Sequence, residues 1–374
     1  MKLNSIQALR GIAAFLVLVG HLIAVEAKQA GYTIMPTVLS NGASGVDLFF
    51  VISGFIMVWV AGEGPRGPKA AASFLTARIL RIYPLWWIFA GLLAIYLWLS
   101  YGVPWVAEML ATYGGTGPDH LIRSVFLVPQ DSGFPVLGVG WTLVHEMYFY
   151  ICFALILLLP QRALIPGLLV WACLVIAGKF TGLSSHIATS FVTLALHPLT
   201  LEFMLGAGVA LLIKRGIRDL ALTIGLLGIV AFFVNFFFFG FNETPYMLGW
   251  GRDWKFGIPA AAILYSAACL EIDLRLKIPK FAIALGDWSY VLYLSHILVV
   301  STIARVLFPI LGPTTLLGHI AYLTIGMIGA ITASAVFHYT LERPILKLSG
   351  KLRARLFGPS RKAGEDEVIR NQVW

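Results

Sequence analysis

Two ionisable residues, Arg10 and His21, stand inside the first long apolar run of the chain, residues 6–25. About 20 apolar residues cross a bilayer as a helix. Ionisable side chains at that depth face protein or water and mark function by default. Arg10 and His21 are eleven positions apart, which is close to three helical turns. Both therefore fall on nearly one face, about 16 Å apart along the axis. An arginine fork suits the oxygens of a phosphate. An imidazole serves as general base or nucleophile, and a neighbouring carboxylate holds its tautomer.

Further candidates follow along the chain. Arg78 and Arg81 lie three residues apart, on one face of a helix. Asp47 opens a second apolar run, in Gly45-Val46-Asp47-Leu48-Phe49-Phe50, and Glu146 lies near the start of another, in Trp141-Thr142-Leu143-Val144-His145-Glu146. Each has a plainer reading. Arg10 can snorkel to an interface, Arg78 and Arg81 can act as topology signals, and Asp47 and Glu146 can be helix-start acids favoured by the dipole. Ser53-Gly54 reads as a site of close helix packing rather than a nucleophile. His145, His319 and His338 belong to no paired constellation, and His296, in mid-span, is the best additional histidine. Glu342 and Arg343 read as cap and anchor of the last span, and residues 236–239, all phenylalanine, as lipid-facing bulk.

These residues must be positioned by membrane helices. The 374 residues are 59% hydrophobic and 12% charged, with mean hydropathy +0.86, whereas soluble domains are about one quarter charged. This composition excludes a soluble protein. The net charge of +9 suits basic loops flanking spans rather than nucleic acid. Cys152, Cys173 and Cys269 lie in apolar runs without metal-type spacing and read as small buried hydrophobes, so no metal is expected. Arg10 within the apolar run, with more spans to follow, argues against a cleaved signal peptide.

Ten spans are expected, at 6–25, 44–61, 82–100, 142–159, 163–178, 188–213, 219–240, 256–270, 286–307 and 316–341, giving an all-α polytopic bundle. One set of loops carries Arg66, Lys69, Arg78, Arg81, Arg162, Lys214, Arg215, Arg218, Arg275, Lys277 and Lys280; the other carries Lys28, Arg123, Lys179, Arg252 and Lys255. The tail adds seven more, Lys347, Lys351, Arg353, Arg355, Arg361, Lys362 and Arg370. The positive-inside rule then places both termini in the cytoplasm. Residues 1–346 read as one membrane domain and 347–374 as a short basic cytoplasmic tail. The connection 101–141 holds two turn clusters, at 114–118 and 129–133, and Trp141, Trp250 and Trp254 suit an interface. Counting depth at 1.5 Å per residue, His21 lies about 22 Å from the inner edge of a roughly 30 Å core. Asp47 and Glu146 then share its outer third, while Arg10, Arg78 and Arg81 form an inner basic cluster.

In these segments the chain resembles the acyltransferase-3 family of integral membrane acyltransferases, most of all the branch that O-acetylates bacterial exopolysaccharides and O-antigens. The matching residues are Leu9-Arg10-Gly11 with His21; Gly45 through Phe55; Arg78-Ile79-Leu80-Arg81-Ile82-Tyr83-Pro84; Trp141-Thr142-Leu143 with Glu146 and Phe149-Tyr150; and Glu342-Arg343-Pro344. The resemblance covers nearly the whole chain. It implies cytoplasmic acyl-CoA, usually acetyl-CoA, as donor and a carbohydrate hydroxyl, free or lipid-linked, as acceptor. His21 is then the essential catalytic residue, with Asp47 or Glu146 orienting it, and Arg10, Arg78 and Arg81 bind the donor. It further implies the bacterial inner membrane, with polysaccharide-assembly partners or a second copy of the chain beside it. Where many members carry two adjacent acids, this chain has His145-Glu146-Met147. Some members append an esterase-like periplasmic domain; with its end at Trp374, this chain is expected to complete transfer alone or pass the group to a partner. The competing readings are a proton-coupled or anion transporter, which no internal repeat supports, and an acyltransferase with a lipid or peptide acceptor.

Overall fold

The structure, a computed structural model, describes residues 3–105, 117–131, 134–185, 188–239 and 251–358. Turn residues 114–116 and 132–133, Trp250 and the tail from 359 onward lie outside the described residues. Ten helical stretches are long and apolar enough to cross a bilayer, and no strand occurs among the described residues. In chain order the helices are α1 (Asn4–Ala30), α2 (Gly45–Ala61), α3 (Pro68–Tyr101), α4 (Gly117–Phe126) and α5 (Trp141–Leu157). There follow α6 (Leu164–Phe180), α7 (Phe191–Ala195), α8 (Leu199–Lys214) and α9 (Ala221–Val234). The last four are α10 (Ile258–Leu274), α11 (Lys280–Leu311), α12 (Leu316–Phe337) and α13 (Arg343–Phe357).

Several of these differ from the sequence expectation. α3 begins at Pro68 rather than near residue 82, so Arg78 and Arg81 sit inside a continuous helix. α12 runs through a π-turn at His338–Glu342 into α13, making the first part of the expected surface tail helical. Cys173 is exposed rather than buried. Phe236 is buried beside Phe232 and Phe256, while Phe237 and Phe238 are exposed as expected. Trp141 faces Phe50 and His145 within the bundle. Trp254 is exposed, as an interfacial aromatic should be.

Inside a bilayer, helices are drawn together by close packing rather than by the hydrophobic effect, so small residues set the contacts. α1 and α11 meet at Gly11 and Gly286, where an added Cβ on Gly286 would lie 2.0 Å from the Gln7 carbonyl oxygen. Ten residues further along each helix, the His21 and His296 rings meet, so the two helices run parallel and in register. α2 and α8 meet at Gly54 and Gly206, where added Cβ atoms would lie 1.9 Å from Phe203 O and 1.8 Å from Val51 O. These two helices run parallel, with Asp47 beside Glu202 near their starts and Lys214 5.7 Å from the Trp59 ring centroid near their ends, and Gly54 has the packing role expected of Ser53-Gly54.

Alternation of ten spans puts the start of α1 and the end of α12 on one face, the terminal face. Glu271, at the end of α10, accepts the Asn4 and Ser5 backbone N–H groups at 2.8 and 2.7 Å, capping the positive end of α1. On the same face the Gly67 N–H donates to Leu157 O at 2.9 Å, fixing the end of α5 against the start of α3. On the opposite face His319 Nδ1 lies 2.5 Å from the buried carboxylate of Glu26.

The connection between α3 and α5 does not stay at a surface. Trp86, in the middle of α3 and fully buried, donates through Nε1 to Ser124 O at 2.9 Å. The Tyr293 hydroxyl donates to Val139 O at 2.9 Å. Ser124, Gln130, Leu137 and Val139 are all buried. Irregular backbone at such depth is tolerated where protein supplies its hydrogen bonds. α5 therefore starts inside the bundle, its leading Gly140 packed on the Trp86 ring.

Candidate functional site

A cavity lies among α1, α2, α3, α5 and α11. Arg10, Arg78, Arg81 and Glu146 line it, together with Ser53, Thr142, Tyr150, Tyr290 and Tyr293. The three expected arginines thus come together from two helices. Arg10 donates to Gln7 Oε1 at 3.2 Å, and Gln7 donates to Asp287 Oδ1 at 2.6 Å. The Arg78 guanidinium lies 5.3 Å from the ring centroids of both Phe74 and Tyr150, and that of Arg81 lies 5.4 Å from Tyr290. Such aromatic faces attract cations. Arg81 is 7% exposed, and its Nη1 has no hydrogen-bond acceptor among the described residues. A buried donor left in this way is unfavourable by about 1–3 kcal/mol, more when charged. A phosphate or carbonyl oxygen in the cavity would satisfy it.

Glu146 belongs to this arginine cavity, which corrects its expected place beside His21. Its Oε1 accepts the Tyr150 hydroxyl at 2.7 Å. The same Tyr150 ring faces Arg78. The depth count takes α5 to begin at a bilayer surface, whereas the described residues of 117–140 hold its first turn inside the bundle.

Asp47 is also apart from His21. It is fully buried and binds Arg252 through both oxygens, Nε–Oδ1 at 2.7 Å and Nη2–Oδ2 at 2.8 Å. Arg252, 2% exposed, also donates to Ala43 O at 2.9 Å. The carboxylates of Glu202 and Asp253, both buried, act on the same guanidinium. The expected loop cation Arg252 is thus the centre of a buried ionic cluster between α2, α8 and the turn leading into α10. His145 adjoins it, its ring 4.5 Å from that of His197.

His21, half-buried, has a different neighbour. Its Nδ1 lies 2.9 Å from Val17 O, and no carboxylate contacts it among the described residues. Its ring meets that of His296 at 4.9 Å, edge to face. His296 lies 6.0 Å from the Tyr293 ring, which lines the arginine cavity. Ring contacts through Tyr293 thus link the arginine-lined cavity to a pair of imidazoles that do not themselves line it. The pairing was invisible in the sequence, because His21 and His296 lie at opposite ends of the chain. The period shared by Gly11/Gly286 and His21/His296 was its only trace.

The acyltransferase-3 family model, described as an acyltransferase domain, matches residues 3–339. The exopolysaccharide production protein ExoZ of Rhizobium meliloti (strain 1021) is 29% identical over 338 residues, 87% of this chain and 95% of that protein. Acyltransferase MdmB of Streptomyces mycarofaciens is 26% identical over 388 aligned positions, 94% of each. No solved structure matches.

Proposed function

The chain belongs to the acyltransferase-3 family of membrane acyltransferases, and on that premise we propose that it moves an acyl group, acetyl in the first place, from acyl-CoA to a hydroxyl of an exopolysaccharide or O-antigen, free or lipid-linked. The observation that carries the donor half is the cavity in which Arg10, Arg78 and Arg81 converge with an unsatisfied guanidinium N–H on Arg81. Arginine forks bind phosphate oxygens in pairs, and the diphosphate of CoA is such a ligand. Its pantetheine arm would run past Tyr290 and Tyr293 toward His21, a path comparable to the axial separation of Arg10 and His21, about 16 Å. The name of the relative ExoZ supports a polysaccharide acceptor.

In this reading the terminal face is cytoplasmic and the membrane is the bacterial inner membrane. Donor and acceptor then approach the histidines from opposite sides. His21 acts on the reacting atoms. Glu146, through Tyr150, fixes the arginine side, and Asp47 holds the surrounding helices through Arg252. Polysaccharide-assembly proteins or a second copy of the chain are the partners such a role calls for, with 347–374 as the cytoplasmic tail.

The test is transfer of radiolabelled acetyl from acetyl-CoA in inverted membrane vesicles, wild type beside His21→Ala. Label in polysaccharide or lipid-linked oligosaccharide with wild type alone supports the reading. Equal transfer by His21→Ala defeats the role of His21. Counterflow of solute in proteoliposomes without CoA would favour a transporter instead.

A further inference from the structure

His21 and His296 share one local geometry. Each Nδ1 lies 2.9 Å from the carbonyl oxygen four residues earlier, Val17 O and Leu292 O. A carbonyl only accepts, so the nitrogen facing it bears the proton; this network assigns the tautomer of both rings. Nε2 is then the lone-pair nitrogen of each. The rings stand 4.9 Å apart at 68°, held by the parallel packing of α1 on α11. His21 is half-buried, whereas His296 is 1% exposed, and His296 Nε2 has no hydrogen-bond partner among the described residues. The nearby Tyr293 hydroxyl is engaged by Val139 O and Thr142, each at 2.9 Å. A buried polar nitrogen left without a partner is unfavourable.

We propose that the two imidazoles divide the transfer: His21 Nε2 carries the acyl group, and His296 Nε2 takes the proton of the acceptor hydroxyl. This rests on the acyl-CoA reading above. In the first half-reaction the His21 Nε2 lone pair forms a bond to the thioester carbonyl carbon. The carbon–sulfur bond breaks, CoA leaves as thiolate, and His21 becomes an acyl-imidazolium that keeps its Nδ1 proton, donated to Val17 O. In the second, the acceptor oxygen bonds to the acyl carbon and the carbon–nitrogen bond breaks, returning its electron pair to His21. The hydroxyl proton moves to His296 Nε2. Positive charge passes from one ring to the other, so the pair never holds two charges. The proton then leaves His296 for water or the thiolate. One imidazole cannot fill both roles, because an acylated Nε2 has no lone pair and Nδ1 is bound to a carbonyl. A second base in contact removes that conflict.

The experiment follows exchange of tritiated CoA into acetyl-CoA by the purified full-length protein without acceptor, which reads the first half-reaction alone. It is paired with the O-acetyl content of polysaccharide made by a host whose own copy is deleted and replaced by each variant. His296→Gln, which keeps volume, is expected to exchange within about threefold of wild type while transfer falls about 10²–10⁴-fold, the range for loss of a general base. His21→Gln should lose both. Wild-type protein quenched after acetyl-CoA alone should carry hydroxylamine-labile acetyl on the peptide containing His21, a measurement that needs no variant. Wild-type transfer without exchange, no acetyl at His21, or parallel loss of exchange and transfer in folded, CoA-binding His296→Gln overturns the division and leaves the acyltransferase reading standing. Wild-type protein that neither binds nor cleaves acetyl-CoA overturns both.

Discussion

Gly286→Ala tests whether the α1–α11 contact governs the chemistry. An alanine Cβ there would lie 2.0 Å from Gln7 O, 2.5 Å from Gln7 C and 3.0 Å from Gln7 Cα. All three are backbone atoms, so no side chain can turn aside. Carbon and oxygen in close contact sit about 3.3 Å apart, so the two helices must separate locally by about 1.3 Å. Overpacking of this kind destabilises by about 1–3 kcal/mol. Function should suffer more than stability. Gln7 is the partner of Arg10, and the same contact sets the register that brings His21 to His296. Displacement of reacting groups by about 1 Å lowers rates about 10²-fold. The assay pairs the melting temperature of detergent-purified protein with acetyl transfer. Gly91→Ala on α3 is the control, since its added Cβ meets nothing within 4 Å. Wild-type transfer and melting in Gly286→Ala, or an equal loss in Gly91→Ala, would refute the reasoning.

Arg252→Ala should destabilise by about 3–5 kcal/mol, since it leaves buried carboxylates without their cation; thermal unfolding measures it, and an unshifted curve counts against the cluster. Asp47→Asn should unfold less readily than Arg252→Ala, because the guanidinium keeps Glu202 and Asp253. Arg81→Lys should raise KM for acyl-CoA about tenfold or more with kcat little changed, since lysine lacks the planar fork; a fall in kcat at constant KM would remove Arg81 from donor binding. Glu271→Gln should weaken the cap of α1 by about 0.5–2 kcal/mol, seen as faster hydrogen exchange at Asn4 and Ser5 with slower residues unaffected.

The fold was legible where a one-dimensional signal suffices. A stretch of apolar residues long enough to span is such a signal, and all ten spans are present. The Arg78–Arg81 spacing was another, and both residues reach the cavity with Arg10. What could not be read is which helices touch. The α1–α11 contact joins residues 275 positions apart, as Gly11 and Gly286 show, and nothing local to either glycine names the other. Arg252 was hidden differently. A lone arginine between apolar runs has the pattern of a loop cation, and only the chain fold brings Asp47, Glu202 and Asp253 around it.

Glu146 shows why depth counted along a helix fails even when the helix is right. The count converts residue number to height from an assumed entry point at the bilayer surface. α5 has no such entry point, because the residues before it fold in against Trp86 and Tyr293. Its only fixed height comes from the other end, where Leu157 O meets Gly67. From there Glu146 is eleven residues along α5 and Arg78 eleven residues along α3, each about 16 Å from the junction. The two helices run antiparallel, so these distances bring the carboxylate level with the arginine, and Tyr150 bridges them. An acid counted into the histidine layer from one end thus falls in the arginine layer from the other. With Asp47 engaged by Arg252, no carboxylate contacts His21 among the described residues, and the ring that meets it is that of His296.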